Sequence, residues 1–314
     1  MTRLVKKAPV PIAGLMLALG ATGNLIVSYG NIYRNIFGMI AAVIFLLLTT
    51  KMITDSDTVI AGLKNPVIAS VIPTYSMAIM ILATYIKPYL PSLAYGVWGA
   101  GILIHLMLII YFTKNYILNF DIKKVFPSYF VVYVGIVVAS VTAPAFKALL
   151  LGKIIFWFGL ISYLTLLPVV LYRVFRVKGI PEPAIPTITI FAAPASLCLA
   201  GYMSSFAVKN IFLVGFLIGL SLLMTLGVLI YMVKMLRLKF YPSYAAFTFP
   251  FVISAIAIKK TNGFLVSTGR GIGLLKNIVL IEEVIAVLIV LYVLIHFINF
   301  LFVDQSVEIQ TNKA

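Results

Sequence analysis

The chain has 314 residues, of which 63% are hydrophobic and 10% charged, with a mean hydropathy of +1.14. Soluble domains carry roughly 25% charged residues, so a water-soluble globule is excluded: a folded chain of this size always exposes much of its surface, and here lipid must cover part of it. The net charge of +16, from 24 basic against 8 acidic residues, sits in the gaps between apolar runs. That is the pattern of membrane topology and headgroup contact, not of a nucleic-acid partner.

A backbone in lipid satisfies its own hydrogen bonds as a helix or a closed barrel. Uninterrupted apolar runs favour helices over alternating barrel strands. The N-terminus, with Arg3, Lys6 and Lys7 ahead of "LMLALGATG", resembles a signal peptide. Nothing downstream reads as a secreted soluble domain, so it is taken as an uncleaved first span. The expected fold is an all-α integral membrane protein, one transmembrane domain over 1–314. Spans fall at about 9–30, 34–50, 66–86, 91–113, 126–146, 152–172, 184–206, 210–233, 240–259 and 274–302. The longest polar connection, Lys51 to Asn65, and the tail after Val303 are both short. Placing the N-terminus in the cytoplasm puts 15 of the 24 basic residues on that side and 9 on the other. The positive-inside rule then sets both termini in the cytoplasm of a multi-pass cell-membrane protein.

Proline gives the internal repeat. Proline-marked spans recur near Pro9, Pro66, Pro127, Pro181 and Pro242, at intervals of about 54–61 residues, enough for two crossings of about 20 residues each. The chain therefore reads as five tandem hairpins. Of 15 prolines, only Pro168 lies inside an even-numbered span. Pro66/Pro73, Pro186/Pro194 and Pro242/Pro250 repeat one start-then-kink spacing. Gly135 stands at the equivalent place in the third repeat and Gly20 near it in the first. Proline or glycine inside a helix weakens or bends it. The freed backbone groups need protein or water as partners, so five bent helices are expected inside and five straighter ones outside. Gly20, Pro73, Gly135, Pro194 and Pro250 are the expected kinks.

The odd spans also carry hydroxyls: Ser70, Thr74, Ser140, Thr187, Ser196 and Thr248 are candidate pore-lining groups. Close helix packing through small residues explains such a pattern as well. These spans have no ionisable residue between their ends. A path lined this way holds no carboxylate ring for cations and no proton relay, so selection would rest on basic mouths and hydroxyl dipoles. Glu282 and Glu283 lie on the tenth span, where an even-span position points to interface contacts; His105 and His296 read as packed. No His, Asp or Glu cluster has metal-ligand spacing, and no metal or cofactor is expected. Cys198 is a packed thiol within an apolar run. "GRGIGLLK" (269–276) lacks the spacing of a phosphate loop and follows no strand, and no serine sits in a nucleophile elbow, so enzymatic chemistry has little support. The roles of Glu282, Glu283, Lys259 and Lys260 stay open at this stage.

Four segments together, "PVPIAGLMLALG", "FPSYFVVYVGIVVAS", "PASLCLAGY" and "FTFPF", give a resemblance covering essentially all ten predicted spans. The chain resembles the tellurite-resistance/dicarboxylate transporter family, which includes bacterial TehA-type proteins and plant guard-cell slow anion channels. The resemblance implies a homotrimer with one pore per protomer inside five inner helices, and a phenylalanine on the ninth helix that plugs it. Phe249 corresponds best, with Phe247 and Phe251 next. It implies passage of small inorganic or organic anions across the bilayer. The alternative on the same fold is a carrier or exporter for C4-dicarboxylates or for oxyanions such as tellurite or sulfite. The plant channels' long regulatory tails have no counterpart here.

Overall fold

The computed structural model describes residues 2–302, which are helical, with no strand among them; the predicted tail after Val303 lies outside the described residues. Eight helices are long and apolar enough to cross a membrane. Two shorter apolar helices stand where the first and fifth spans are predicted. In chain order the main helical segments are α1 (Ile12–Leu25), α2 (Asn31–Thr54), α3 (Pro66–Ile86), α4 (Pro91–Phe112), α5 (129–146), α6 (Leu149–Tyr172), α7 (Glu182–Ser205), α8 (Ile211–Met235), α9 (Pro242–Ser267) and α10 (Gly273–Phe302). A short N-terminal helix, Thr2–Lys7, is tied to α2 by Lys51, whose Nζ donates to Lys6 O at 2.7 Å and pairs with Asp55 at 3.3 Å.

Proline breaks the odd helices by restarting them. α3 consists of Pro66–Val71 and Pro73–Ile86; the Asn65 side chain caps the first piece, accepting from Val67 N at 2.9 Å. α7 opens as an 11-residue 3-10 helix, Glu182–Ala192, and becomes α-helical at Ala193–Ser205 with Pro194 in its first turn. α9 repeats this: a 3-10 stretch at Pro242–Phe247, then Phe249–Ser267 with Pro250 in the first turn. The first turn of a helix has unpaired N–H groups, so a residue without one costs nothing there. α5 alternates short α turns with 3-10 turns at Gly135–Val137 and Ala143–Phe146. At Gly20, where a kink is expected from the sequence, α1 continues as α-helix on both sides. The glycine's missing side chain serves a close approach, since a Cβ there would sit 3.0 Å from Ile81. The Tyr85 hydroxyl donates to Gly20 O at 2.6 Å.

Burial separates two layers. In α3, α7 and α9 the most apolar stretch is 78, 89 and 61% buried, whereas in α2, α4, α6, α8 and α10 it is 33, 28, 33, 28 and 33%. Every residue of α1 from Ile12 to Gly23 is buried. The odd helices form a closed ring: α1 packs on α3, α3 on α5, α5 on α7, α7 on α9, and α9 back on α1. Each even helix leans on the odd helix before it. The outer faces expose large apolar side chains such as Met39, Ile110, Leu223 and Leu288, a surface that only lipid or another apolar partner covers at low cost.

At Gly38 on α2, a Cβ would overlap the Tyr85 ring, whereas at Gly99 on α4 it would meet nothing within 4 Å. Gly38→Ala should therefore lower stability by about 1–3 kcal/mol, the usual cost of overpacking, and Gly99→Ala should leave it unchanged or raise it. Thermal melts of the two purified variants in detergent check this.

Candidate axial pathway

The ring encloses a cavity of about 60 Å³ on its axis, room for a few water-sized molecules. All five odd segments line it, through Gly14, Thr74, Gly135, Ile190 and Phe249 among others. The lining runs from residues near the helix starts, such as Val67 and Ser243, to deeper ones, such as Met77 and Leu197. It thus lies on the side of the bundle where the odd helices begin. Past the cavity-lining positions, Cys198–Met203 of α7 and Phe251–Ala255 of α9 are buried throughout.

The three phenylalanines separate. Phe249, 7% exposed, borders the cavity. Phe247 is fully buried and packs on the Tyr244 ring at 4.7 Å, and Phe251 is buried away from the cavity lining. Of the kink residues, Gly135, Pro194 and Pro250 line the cavity; Gly20 and Pro73 do not.

Only Thr74 and Thr187 of the candidate hydroxyls reach the cavity. Ser70 bonds Ser128 at 2.6 Å, Ser140 donates to Gly152 O at 2.7 Å, Ser196 donates to Ala192 O at 2.7 Å, and Thr248 donates to Ala245 O at 2.6 Å. Thr74 and Thr187 are themselves committed to backbone, donating to Val71 O at 2.8 Å and Ala184 O at 2.6 Å. A hydroxyl has one hydrogen to give, so these two present lone pairs, not donors, to the cavity. No ionisable side chain lines it. Among the described residues no group of His, Cys, Asp and Glu is placed to hold a metal.

His105, read from the sequence as packed, is so, and its polar contacts add a role. It is fully buried on α4, behind the cavity wall. Its Nε2 lies 3.0 Å from Val132 O and its Nδ1 2.8 Å from Ser76 Oγ. A carbonyl only accepts, so Nε2 carries the hydrogen. Val132 sits just ahead of the 3-10 turn at Gly135, and Ser76 three residues past Pro73, whose carbonyl lies 2.8 Å from Ser76 Oγ. One outer-layer side chain thus bridges two interrupted inner helices, through a side chain of α3 and a backbone carbonyl of α5. The available signal was a lone histidine in the middle of an apolar span.

The two glutamates correct the expectation of interface contacts, because both turn inward. Glu283, 5% exposed, pairs with Lys259 at 2.6 Å and accepts from the Tyr29 hydroxyl at 2.9 Å. Glu282, 8% exposed, accepts from Ser254 Oγ at 3.0 Å; Ser254 in turn lies 3.1 Å from Thr225 Oγ1. These bonds fasten α10 to α9 and to the α1–α2 connection. Lys260, the next residue, is exposed. His296 packs between Tyr292 and Phe240, its Nδ1 2.9 Å from Tyr292 O.

A multi-pass chain whose interrupted helices surround an axial cavity is a membrane transport protein by its class. Residues 8–300 match the family model described as voltage-dependent anion channel (SLAC1), and the chain belongs to that family. It is also 27% identical, over 270 residues, to an uncharacterised transporter of Methanocaldococcus jannaschii, an alignment covering 76% of this chain and 78% of that protein.

Replacing His105 with Phe keeps an aromatic volume but takes the side-chain partner from Val132 O, while Ser76 keeps its bond to Pro73 O. A buried group left unsatisfied costs about 1–3 kcal/mol, so His105→Phe should lose about that much, with His105→Gln recovering part of it. Detergent unfolding curves of the three proteins decide the matter.

Proposed function

We propose that the chain passes small anions, inorganic or organic, along the axis of the five inner helices, with the Phe249 ring as the plug. The ten segments are five hairpins, each pairing one pore helix with one outer helix. The protein is a homotrimer with a separate path in each protomer, and it sits in the cell membrane with both termini in the cytoplasm. The observation that carries this reading is the position of Phe249: of the three candidate phenylalanines, Phe247, Phe249 and Phe251, it alone borders the axial cavity.

The physics supports a plug of this kind. A phenyl ring in an apolar constriction leaves no room for a hydrated ion and gates by dewetting. A lining without fixed charge holds an anion weakly, which suits passage more than capture. Because Thr74 and Thr187 donate to backbone, the bias for negative solutes comes from the field of the basic ends and the +16 net charge, not from hydroxyl donors along the path. A carrier for C4-dicarboxylates, or an exporter of tellurite or sulfite, would give saturable, pH-driven uptake instead of currents reversing at the chloride or nitrate equilibrium potential.

In liposomes containing the purified protein, Phe249→Ala should raise chloride or nitrate flux by an order of magnitude, the effect of lowering a barrier by about 1.4 kcal/mol. Phe247→Ala should instead destabilise the fold by about 3–5 kcal/mol. Unchanged flux in well-folded Phe249→Ala protein rejects the plug.

A further inference from the structure

Outer helices α6 and α8 stand apart, and a cleft of about 550 Å³ opens between them. Its walls include Phe175 after α6 and Gly227 of α8; Tyr231 and Lys178 also border it. Its floor is the back of the pore wall. The 3-10 stretch Glu182–Ala192 turns Thr187 and Ile190 to the axial cavity, and Ile188 and Phe191 to the cleft. The Phe191 ring sits against Phe130 at 5.8 Å, and Phe130 lines the cavity. One stretch of 3-10 helix therefore separates the membrane-facing cleft from the path. Runs of 3-10 helix this long are uncommon and have poorer hydrogen-bond geometry, a mark of a hinge or of strain.

The geometry points to an anionic phospholipid as the occupant, one acyl chain lying on Ile188 and Phe191 and the phosphate held by Lys178 and Arg176. The lipid bears directly on the pore wall and tunes conduction; that second half rests on the pore reading above. Three observations favour this occupant over a neutral lipid or a second copy of the chain.

The first is charge complementarity. Lys178 borders the cleft, and Arg176 is exposed two residues before it. Neither takes part in an ion pair among the described residues. Arg173 does not compete for a headgroup, since it is buried and its guanidinium donates to Lys178 O and Lys123 O.

The second is the backbone. Lys178 holds φ 58, followed by Gly179 at φ 70. Glycine adopts a positive φ without strain and lysine does not, so the basic side chain at 178 stands on a backbone that glycine would suit better. The third is Tyr231, partly exposed at the cleft; tyrosine favours the headgroup level, where its ring is apolar and its hydroxyl wet.

Two substitutions test this in the full-length protein. Lys178→Gly removes the charge and relieves the strain, so it should not weaken the fold. Gly227→Phe fills the cleft from a position where a Cβ meets nothing within 4 Å. In native mass spectra after exchange into mixed micelles, the unaltered protein should retain phosphatidylglycerol over phosphatidylcholine. Lys178→Gly should cut that preference about fivefold, the worth of one basic charge near an anionic surface, with an unchanged or higher melting temperature. Gly227→Phe should retain neither lipid, and its anion flux should no longer depend on phosphatidylglycerol. Equal retention of the two lipids by the unaltered protein, or undiminished retention by folded Gly227→Phe protein, overturns the proposal. So does disulfide cross-linking of Gly227→Cys between protomers, which would place a second copy in the cleft; the native Cys198 is fully buried and silent. Lipid retention is read without flux, so a protein that conducts in no lipid refutes the pore reading while the binding result stands separately.

Discussion

In hydrocarbon there is no water to complete a broken hydrogen-bond ladder, and each unpaired backbone group costs several kcal/mol. That constraint arranges this molecule. The interrupted helices, with their prolines and 3-10 stretches, have carbonyls and N–H groups that their own turns leave unpaired, and they form the ring. The continuous helices satisfy themselves and face outward. The two layers thus sort by backbone continuity, with the unbroken α1 as the exception, and by hydrophobicity as well, since each outer helix is more apolar than α3, α7 and α9.

The same constraint explains the polar atoms inside. Thr74, Thr187, Ser196 and Thr248 all direct their hydrogens at carbonyls three or four residues earlier on their own helices. His105 reaches from the outer layer to Ser76 of α3 and Val132 O of α5. Polar side chains near the axis therefore maintain the bends first, and the cavity is apolar as a consequence. The buried Glu283 is held by Lys259 and Tyr29, away from the axial cavity, whose lining carries no fixed charge.

Much of this was legible in the sequence because proline is a backbone signal. Its recurrence marked the helices that the structure buries. Its detailed effect was less so: Pro73, Pro194 and Pro250 read as kinks within helices, but each begins a new α-helical segment, two of them after 3-10 turns. Gly20 illustrates the ambiguity of glycine, which bends a helix in one context and admits a neighbour in another; only the position of Ile81 decides. Hydroxyl orientation, the inward turn of Glu282 and Glu283, and the bridging role of His105 depend on which residues of other helices stand opposite. That information is three-dimensional, and one sequence does not contain it.

The central claim is that the ring's axis, and not the lipid-facing surface, is the aqueous path. Cysteine accessibility measures this most directly. A water-soluble, negatively charged thiol reagent applied from the face where the odd helices begin should label Thr187→Cys, which lines the cavity, and block anion flux. Leu223→Cys, exposed on an outer helix, should stay unlabelled. Labelling of the outer position with an inert Thr187→Cys, and flux unaffected by the reagent, would contradict the account.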